Sequence, residues 1–302
     1  MTMLKILRAG PLVTLQDKGR FGALAHGISA SGPMDRGAFE RTARWLGTAG
    51  STAIEITRAG MAFTVSEGGM RAAFDGGLFA LKRNGRKAAW PSVLTLSAGD
   101  SVDITPGEWG SYGYIRFDRE IAVEPVMGSR ATSSIAGLGG FQGRALKAGD
   151  ELSLDPEASG VPPREPVPAQ RGSGPIRFVW GLHADLFDSE QRQNFTHGAF
   201  SVSTRLDRMG VRLEDKSGVF ADAHILSLIS DAIVPGDIQI LGDGTPIVLM
   251  RDHQPTGGYP RVGTIISADL DRFAQLRPGE ELTFEPVTLQ KAQKYLTSRS
   301  LP

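Results

Sequence analysis

Apolar positions along this chain fall in short runs, broken by turns rich in glycine, proline and small polar residues. Residues 3–15 read as two short strands interrupted at Gly10-Pro11. A polar turn follows from Gln16 to Gly22, and His26 to Pro33 holds too much Gly, Ser and Pro for a regular element. Residues 34–46 carry the clearest helical period. Met34, Ala38, Phe39, Thr42, Trp45 and Leu46 share a stripe, Arg36, Glu40, Arg41 and Arg44 lie largely off it, and Gly47 supplies the stop. Strands are predicted at 52–57, 61–66 and 71–75, and Asn84-Gly85 marks a hairpin turn. Further on, the pattern predicts a strand at 176–180 and a helix across 184–195, with Leu186, Phe187, Gln191 and Phe195 on one face. Strands follow at 199–204, 224–229, 237–241, 246–250 and 262–266, and a last helix at 288–297 starts from Thr288 as N-cap.

One phrase recurs. Leu96-Ser-Ala-Gly99-Asp100 is echoed by Leu146-Lys-Ala-Gly149-Asp150 and by Leu276-Arg-Pro-Gly279-Glu280, each followed by an alternating strand. We read these as equivalent hairpin turns in two related β barrels. Residues 155–175 hold six prolines and almost no large apolar side chain. The expected organisation is therefore a β barrel at 1–155, a Pro-rich linker or loop at 156–175 and a second β barrel at 176–302.

Composition supports a mainly β chain, because 38 glycines and 18 prolines suit a fold with many tight turns. The absence of cysteine excludes disulfides, thiolate metal sites and a cysteine nucleophile. Lys+Arg and Asp+Glu both number 33, so net charge supports neither a nucleic-acid partner nor an anionic membrane surface. No apolar run reaches the roughly 18 residues of a bilayer span, and the first residues lack a signal-peptide core; cytoplasm is the expected location. The five histidines, His26, His183, His197, His224 and His253, are scattered, and no metal is expected. Gly137-Leu-Gly139-Gly140-Phe-Gln142-Gly143 fails the dinucleotide fingerprint, and no P-loop or biotin-attachment motif occurs.

What remains is a set of polar clusters bounded by glycine: Gln16, Asp17 and Arg20; Ser29, Ser31 and Asp35; Ser129 to Thr132; Asp207 to Gly210; and the stretch Asp252 to Arg261. The last lies between two apolar runs and contains His253, Gln254, Thr256, the Gly257-Gly258 pair and Tyr259. Strand, polar Gly-Pro loop, strand is how a β scaffold presents functional groups. A structural reading stands beside each: Asp17 with Arg20, and Asp207 with Arg208, as ion pairs fixing turns; Asp35 and Ser31 as N-caps; Ser129 and Thr132 bonding turn backbone.

Taken in order, these clusters resemble one family. The carrying stretches are Leu15-Gln16-Asp17-Lys18-Gly19-Arg20-Phe21-Gly22, Gly27-Ile28-Ser29-Ala30-Ser31-Gly32-Pro33-Met34-Asp35, Ile54-Glu55-Ile56-Thr57, Gly128 to Thr132, Leu138 to Asp150, Asp207 to Gly210, Val234 to Gln239, Gln254 to Pro260, and Ser267-Ala268-Asp269. The chain is similar to the family of 5-oxoprolinase C subunits, also called the Kip-type or biotin-dependent carboxyltransferase family and formerly allophanate hydrolase subunit 2. The resemblance implies two cyclophilin-like β barrels and work alongside the A and B subunits of a 5-oxoprolinase. Together these hydrolyse 5-oxo-L-proline to L-glutamate with ATP and Mg2+, no cofactor being held by this chain. It implies substrate contact by Gln254, Thr256, Gly257, Gly258, Tyr259, Arg208 and Arg20, with Asp17, His253 and Asp269 as candidates for the catalytic base. Convergence of the Gln254 loop, Arg208 and the Gln16–Arg20 turn on one cleft is expected. A fused relative implies the alternative of carboxyl transfer from carboxybiotin, on a separate carrier, to a urea-like substrate. A further alternative is a non-catalytic regulator of a sensor-kinase inhibitor. The sequence departs from the family at Thr42-Ala43 and Thr48, where an Ala-Asn pair and an Asn are usual, and at Tyr114 to Arg119, where small residues are usual.

Overall fold

The computed structural model describes residues 2–47, 51–156, 163–167, 170–221 and 228–299. The protein is mainly β, with sheets that form a nearly closed barrel and a half-barrel. The chain divides into two compact units: Met1–Gly22 with Ala30–Arg171, and Ala23–Ser29 with Gly172–Pro302. The expected linker thus contributes to both units, and Arg164 N donates to the Trp45 carbonyl at 2.7 Å within the first.

The sheet of the first unit has nine strands, all antiparallel where paired. Its order runs Thr14–Gln16, Ala53–Thr57, Ser101–Phe117, Met61–Glu67, Thr2–Ala9, Glu151–Leu154. Gly69–Arg83 pairs with Ser101–Phe117 and also with Arg86–Ala88 and Ser92–Ser97. The period-2 pattern shows in Thr2–Ala9, where Leu4 and Ile6 are buried and Lys5 is exposed. Leu4, Ile6, Ile54, Phe63, Phe74, Ile115 and Phe117 belong to one apolar core. Helix α1 (Arg36–Leu46) packs on Gly69–Arg83 and Ser101–Phe117, and Asp35 caps it by accepting from Ala38 N at 2.9 Å.

In the second unit the sheet has eight strands. Its order is Glu281–Leu282, Phe200–Leu206, Gly210–Glu214, Pro246–Leu249, Asp237–Ile240, Arg261–Ile265, Ile176–Trp180, Phe284–Pro286. Its core is aromatic: Phe195 stacks on Phe284 at 4.7 Å, and Phe178 meets Phe195 edge-on at 5.2 Å. Such pairs add about 0.5–1.5 kcal/mol beyond the area they bury. A separate ribbon pairs Asp231–Ala232 with Thr256–Gly257.

The three recurring phrases form the same turn. Gly99, Gly149 and Gly279 all take left-handed φ, of 90°, 92° and 83°. Each glycine N–H donates to a distant strand carbonyl, that of Val65, Ile6 and Val202, at 2.8, 2.8 and 2.7 Å. The carbonyl of the following acid accepts from the same strand residue's N–H, at 2.9, 2.8 and 3.0 Å. Asp100 and Asp150 also accept from the backbone N–H three residues back, both at 2.8 Å, and each binds an arginine, Arg83 and Arg144, at 2.7 Å.

Several predicted elements change. The helix expected across 184–195 is a 3-10 turn at Ala184–Leu186 and then helix α2 (Ser189–His197). Asp188 separates them by capping the Gln191 N–H at 2.8 Å while the Gln191 side chain returns to Asp188 N. Of the strand expected at 224–229, residues 224–227 lie outside the described residues, and Leu228 and Ile229 are not in a strand. Helix α3 (Ser267–Ala274) is an addition to the predicted elements; its motif is short and follows an apolar strand without a break. The last helix, α4 (Leu289–Arg299), does start at Thr288, whose hydroxyl accepts from Lys291 N at 3.3 Å.

Candidate functional site

Strands Pro246–Leu249 and Arg261–Ile265 carry the polar loop between them. Asp237–Ile240 lies between these strands in the sheet and brings its own polar residues beneath the loop. Its apolar residues, Ile238 and Ile240, point into the core, so Asp237 and Gln239 face the other way. The result is a buried polar layer. Asp237 accepts from Thr264 Oγ1 at 2.6 Å and from Val234 N at 3.0 Å. Arg261 binds Asp231 at 2.6 Å, the Ala232 carbonyl at 2.8 Å and Asp237 at 3.4 Å. Arg261 thereby fastens the Asp231–Ala232 and Thr256–Gly257 ribbon over the sheet.

Arg208 reaches the loop from the neighbouring turn. Its Nε donates to Asp252 Oδ2 at 2.9 Å and Nη2 to Oδ1 at 3.1 Å, with both residues buried. Asp252 N donates back to the Arg208 carbonyl at 2.7 Å, and Asp207 fixes the turn by accepting from Met209 N at 2.7 Å. The pair expected between Asp207 and Arg208 is therefore replaced by Arg208 with Asp252. His253 is buried, with Nδ1 2.6 Å from the Gln254 carbonyl. A carbonyl only accepts, so Nδ1 carries the proton and Nε2 keeps its lone pair. Burial pushes this imidazole below its usual value, against the opposing pull of the Gln254 carbonyl, Asp237 and Asp252. Above this layer Thr256 and Tyr259 are exposed, and Gln254, Gly257 and Gly258 half-buried.

Asp17 and Arg20 lie in the first unit, where each binds segment 126–132 instead of the other. Asp17 accepts from Gly19 N, Ser129 Oγ and Arg130 N at 2.9, 2.6 and 2.6 Å. Arg20, 1% exposed, donates to the carbonyls of Val126, Ser129 and Ala131 at 2.9, 3.2 and 3.0 Å. Gln16 joins the same node through Gly32 N and the Thr132 carbonyl, at 3.0 and 3.1 Å. Asp17 and Arg20 are struts of this node. Asp269, on helix α3, is likewise engaged: it accepts from Arg177 N and Nε at 2.9 Å each, from Arg177 Nη2, and from Arg272 at 3.1 Å. Burial alone would raise its carboxyl, but the arginines hold it below the usual range. Of the expected site residues, the structure brings together Arg208, His253, Gln254, Thr256, Gly257, Gly258 and Tyr259, and binds Asp17 and Arg20, and separately Asp269, into hydrogen-bond networks of their own.

At the Glu214–Pro246 end of the paired strands Gly210–Glu214 and Pro246–Leu249, away from Arg208, a cleft of about 410 Å³ is lined by Arg205, Arg212, Asp215, Asp243 and Thr245 among others. None of the expected site residues lines it. Asp237 and Gln239, within the motif Val234 to Gln239, and Arg261, at the end of the polar stretch from Asp252, form the layer beneath the loop although none was among the expected contact residues; the alternation of Asp237 and Gln239 with Ile238 and Ile240 marks them as off the core face.

A family model described as "Carboxyltransferase domain, subdomain A and B" matches residues 26–286. The chain belongs to this family. It is 33% identical over 294 residues to the 5-oxoprolinase C subunit of Escherichia coli, covering 97% of this chain and 94% of the relative. The C subunit of Haemophilus influenzae is 30% identical over 298 residues, with coverage of 97% and 94%. The crystal structure of the K. lactis urea amidolyase superimposes with a TM-score of 0.87 at 25% identity, over 99% of this chain and 19% of that one.

Within this carboxyltransferase domain, the departures noted in the sequence fill the space under α1. Tyr114 donates to Glu55 at 2.7 Å and accepts from Asp35 N at 2.8 Å, and Arg116 lies 3.9 Å over the Phe39 ring. Burial pulls the Arg116 guanidinium down to about 10. Thr42, buried in α1, donates to the Phe39 carbonyl at 2.7 Å, and Thr48 lies outside the described residues.

Proposed function

We propose that this chain is the C subunit of an ATP-dependent 5-oxoprolinase, active in complex with A and B subunits in the cytoplasm. The observation that carries the reading is the similarity to the Escherichia coli relative over nearly the whole of both chains. The loop chemistry supports it. Opening a lactam adds water's hydroxyl to the carbonyl carbon, breaks the C–N bond and leaves the proton on nitrogen. Negative charge develops on the carbonyl oxygen, and fixed donors stabilise it. Gln254, Thr256 and Tyr259 present such groups at the rim. Of the three candidate bases, His253 fits best: it is neutral, with a free lone pair on Nε2, whereas Asp17 and Asp269 are held by arginine or backbone donors. ATP and Mg2+ act elsewhere in the complex, since no nucleotide motif occurs here.

The test is co-expression with the A and B subunits, measuring glutamate formed from 5-oxoproline with ATP and Mg2+. Turnover by the three together is expected; none at all sinks the proposal. A second reading, carboxyl transfer from carboxybiotin to a urea-like substrate, draws on the likeness to urea amidolyase. It predicts carboxylation of urea when a biotin carboxylase and its loaded carrier are added instead.

A further inference from the structure

The polar layer beneath the loop contains one group that its neighbours do not explain. Arg208 has Asp252, Arg261 has Asp231 and Asp237, and His253 has the Gln254 carbonyl. Gln239 is only 1% exposed, yet its Nε2 has no hydrogen-bond partner among the described residues. An unmet buried donor costs about 1–3 kcal/mol, so its retention calls for a cause.

Its position supplies one. A Cβ added to Gly257 would lie 2.6 Å from Gln239 Nε2 and 3.2 Å from Ile233 Cδ1. The φ of Gly257 is not in the left-handed region, so glycine is required there for room and not for conformation. The Gln239 carboxamide therefore lies directly under the backbone of the candidate loop. A register shift between Ile238 and Gln239, against strand Arg261–Ile265, sets its direction.

We infer that the Gln239 carboxamide reads the substrate's amide, pairing with a lactam or ureido N–H and C=O through two antiparallel hydrogen bonds in the place against its Nε2 that the Gly257 backbone takes here. This rests on the function proposed above. A carboxamide offers a donor and an acceptor side by side. A lactam ring holds its own N–H and C=O on the same edge, and urea presents the same edge. An open-chain secondary amide, being trans, does not. The site thus selects cyclic amides and ureas over linear peptides, and Gln239 belongs to the substrate-contact set with Gln254 and Tyr259.

The experiment uses the assembled three-subunit enzyme carrying Gln239→Leu or Gln239→Glu, compared with wild type on 5-oxoproline and on its N-methyl derivative, which lacks the lactam donor. Two hydrogen bonds from a buried amide predict a loss in kcat/KM on the order of 100-fold for either variant, mainly through KM. Wild type should reject the N-methyl compound; Gln239→Leu should lose most of that discrimination, while Gln239→Glu, which keeps an acceptor for the lactam N–H and loses only the donor to its C=O, should raise KM yet keep it, a split that general loosening of the fold would not produce. Thermal melting should show Gln239→Leu no less stable than wild type, since it removes an unmet donor; if that variant fails to assemble, Gln239→Glu decides. Unchanged KM in either variant of an active complex, or unchanged N-methyl discrimination in Gln239→Leu, overturns the inference and leaves the proposed function standing. A wild-type complex that does not turn over 5-oxoproline removes both.

Discussion

At the scale of single residues, the candidate loop stands on buried charges. Arg208 and Asp252 are each 3% exposed, and together they tie the Asp207–Gly210 turn to the loop. Taking away one partner strands the other in a low-dielectric site. Asp252→Ala is therefore expected to cost about 3–5 kcal/mol, with the double substitution costing less than the sum of the two singles. Urea denaturation of the three variants measures this. Any loss of activity on changing Arg208 then runs through the footing of the loop. His253 adds a pH signature. Its folded-state pKa lies below its ordinary value of 6.5, so the unfolded chain binds the proton first as pH falls. The resulting stability is complete above about pH 6.5 and declines below it. His253→Gln should flatten that part of the stability profile between about pH 7 and 5.

At the scale of elements, one small turn recurs three times and fastens strands distant in sequence. In its first copy the hydrogen bond from Arg83, together with those from Ser97 N and Asn84, holds the Asp100 carboxyl down to about 2. Its stabilisation is present above the ordinary aspartate value near 3.8 and disappears as pH falls toward 2. Asp100→Asn is expected to cost about 1–3 kcal/mol at neutral pH, and much less at about pH 2, in denaturant titrations at both values. These turns were legible in the sequence because their glycine and acid are local requirements. So was α1, whose stripe and caps are written in consecutive residues from Met34 to Gly47. The break between Ala184–Leu186 and α2 is harder to see, since Phe187 and Phe195 keep a helical spacing across it. What decides it is Asp188, a cap that looks like any acidic residue until its bond to Gln191 N is known.

At the scale of the whole molecule, most resolved carboxylate shifts run downward: Asp100, Asp118, Glu120, Asp150, Asp243 and Asp269 are all lowered, and Asp75 alone among the described residues is raised, by burial. Lowered values mean that folding is favoured above the ordinary carboxylate range and opposed below it. Acid unfolding is expected between about pH 4 and 2, followed by circular dichroism. Sequence patterning announced the mainly β class and the polar loop. It did not announce which polar residues are left at the rim and which are bound into the protein, because Asp17, Arg20 and Asp269 differ from Gln254 only in what surrounds them. That information is tertiary.

The first strand, Thr2–Ala9, is paired on one side by Met61–Glu67 and on the other by Glu151–Leu154, and Ile6 is hooked by the turn at Gly149-Asp150. On the ribosome, this strand must therefore wait for the last strand of its unit. At ordinary synthesis rates that delay is roughly 10–30 s, during which one edge of Thr2–Ala9 has no strand beside it. The alternation of Lys5 with buried Leu4 and Ile6 gives that waiting edge a charge at its middle, a protection against pairing with the nascent chain next to it.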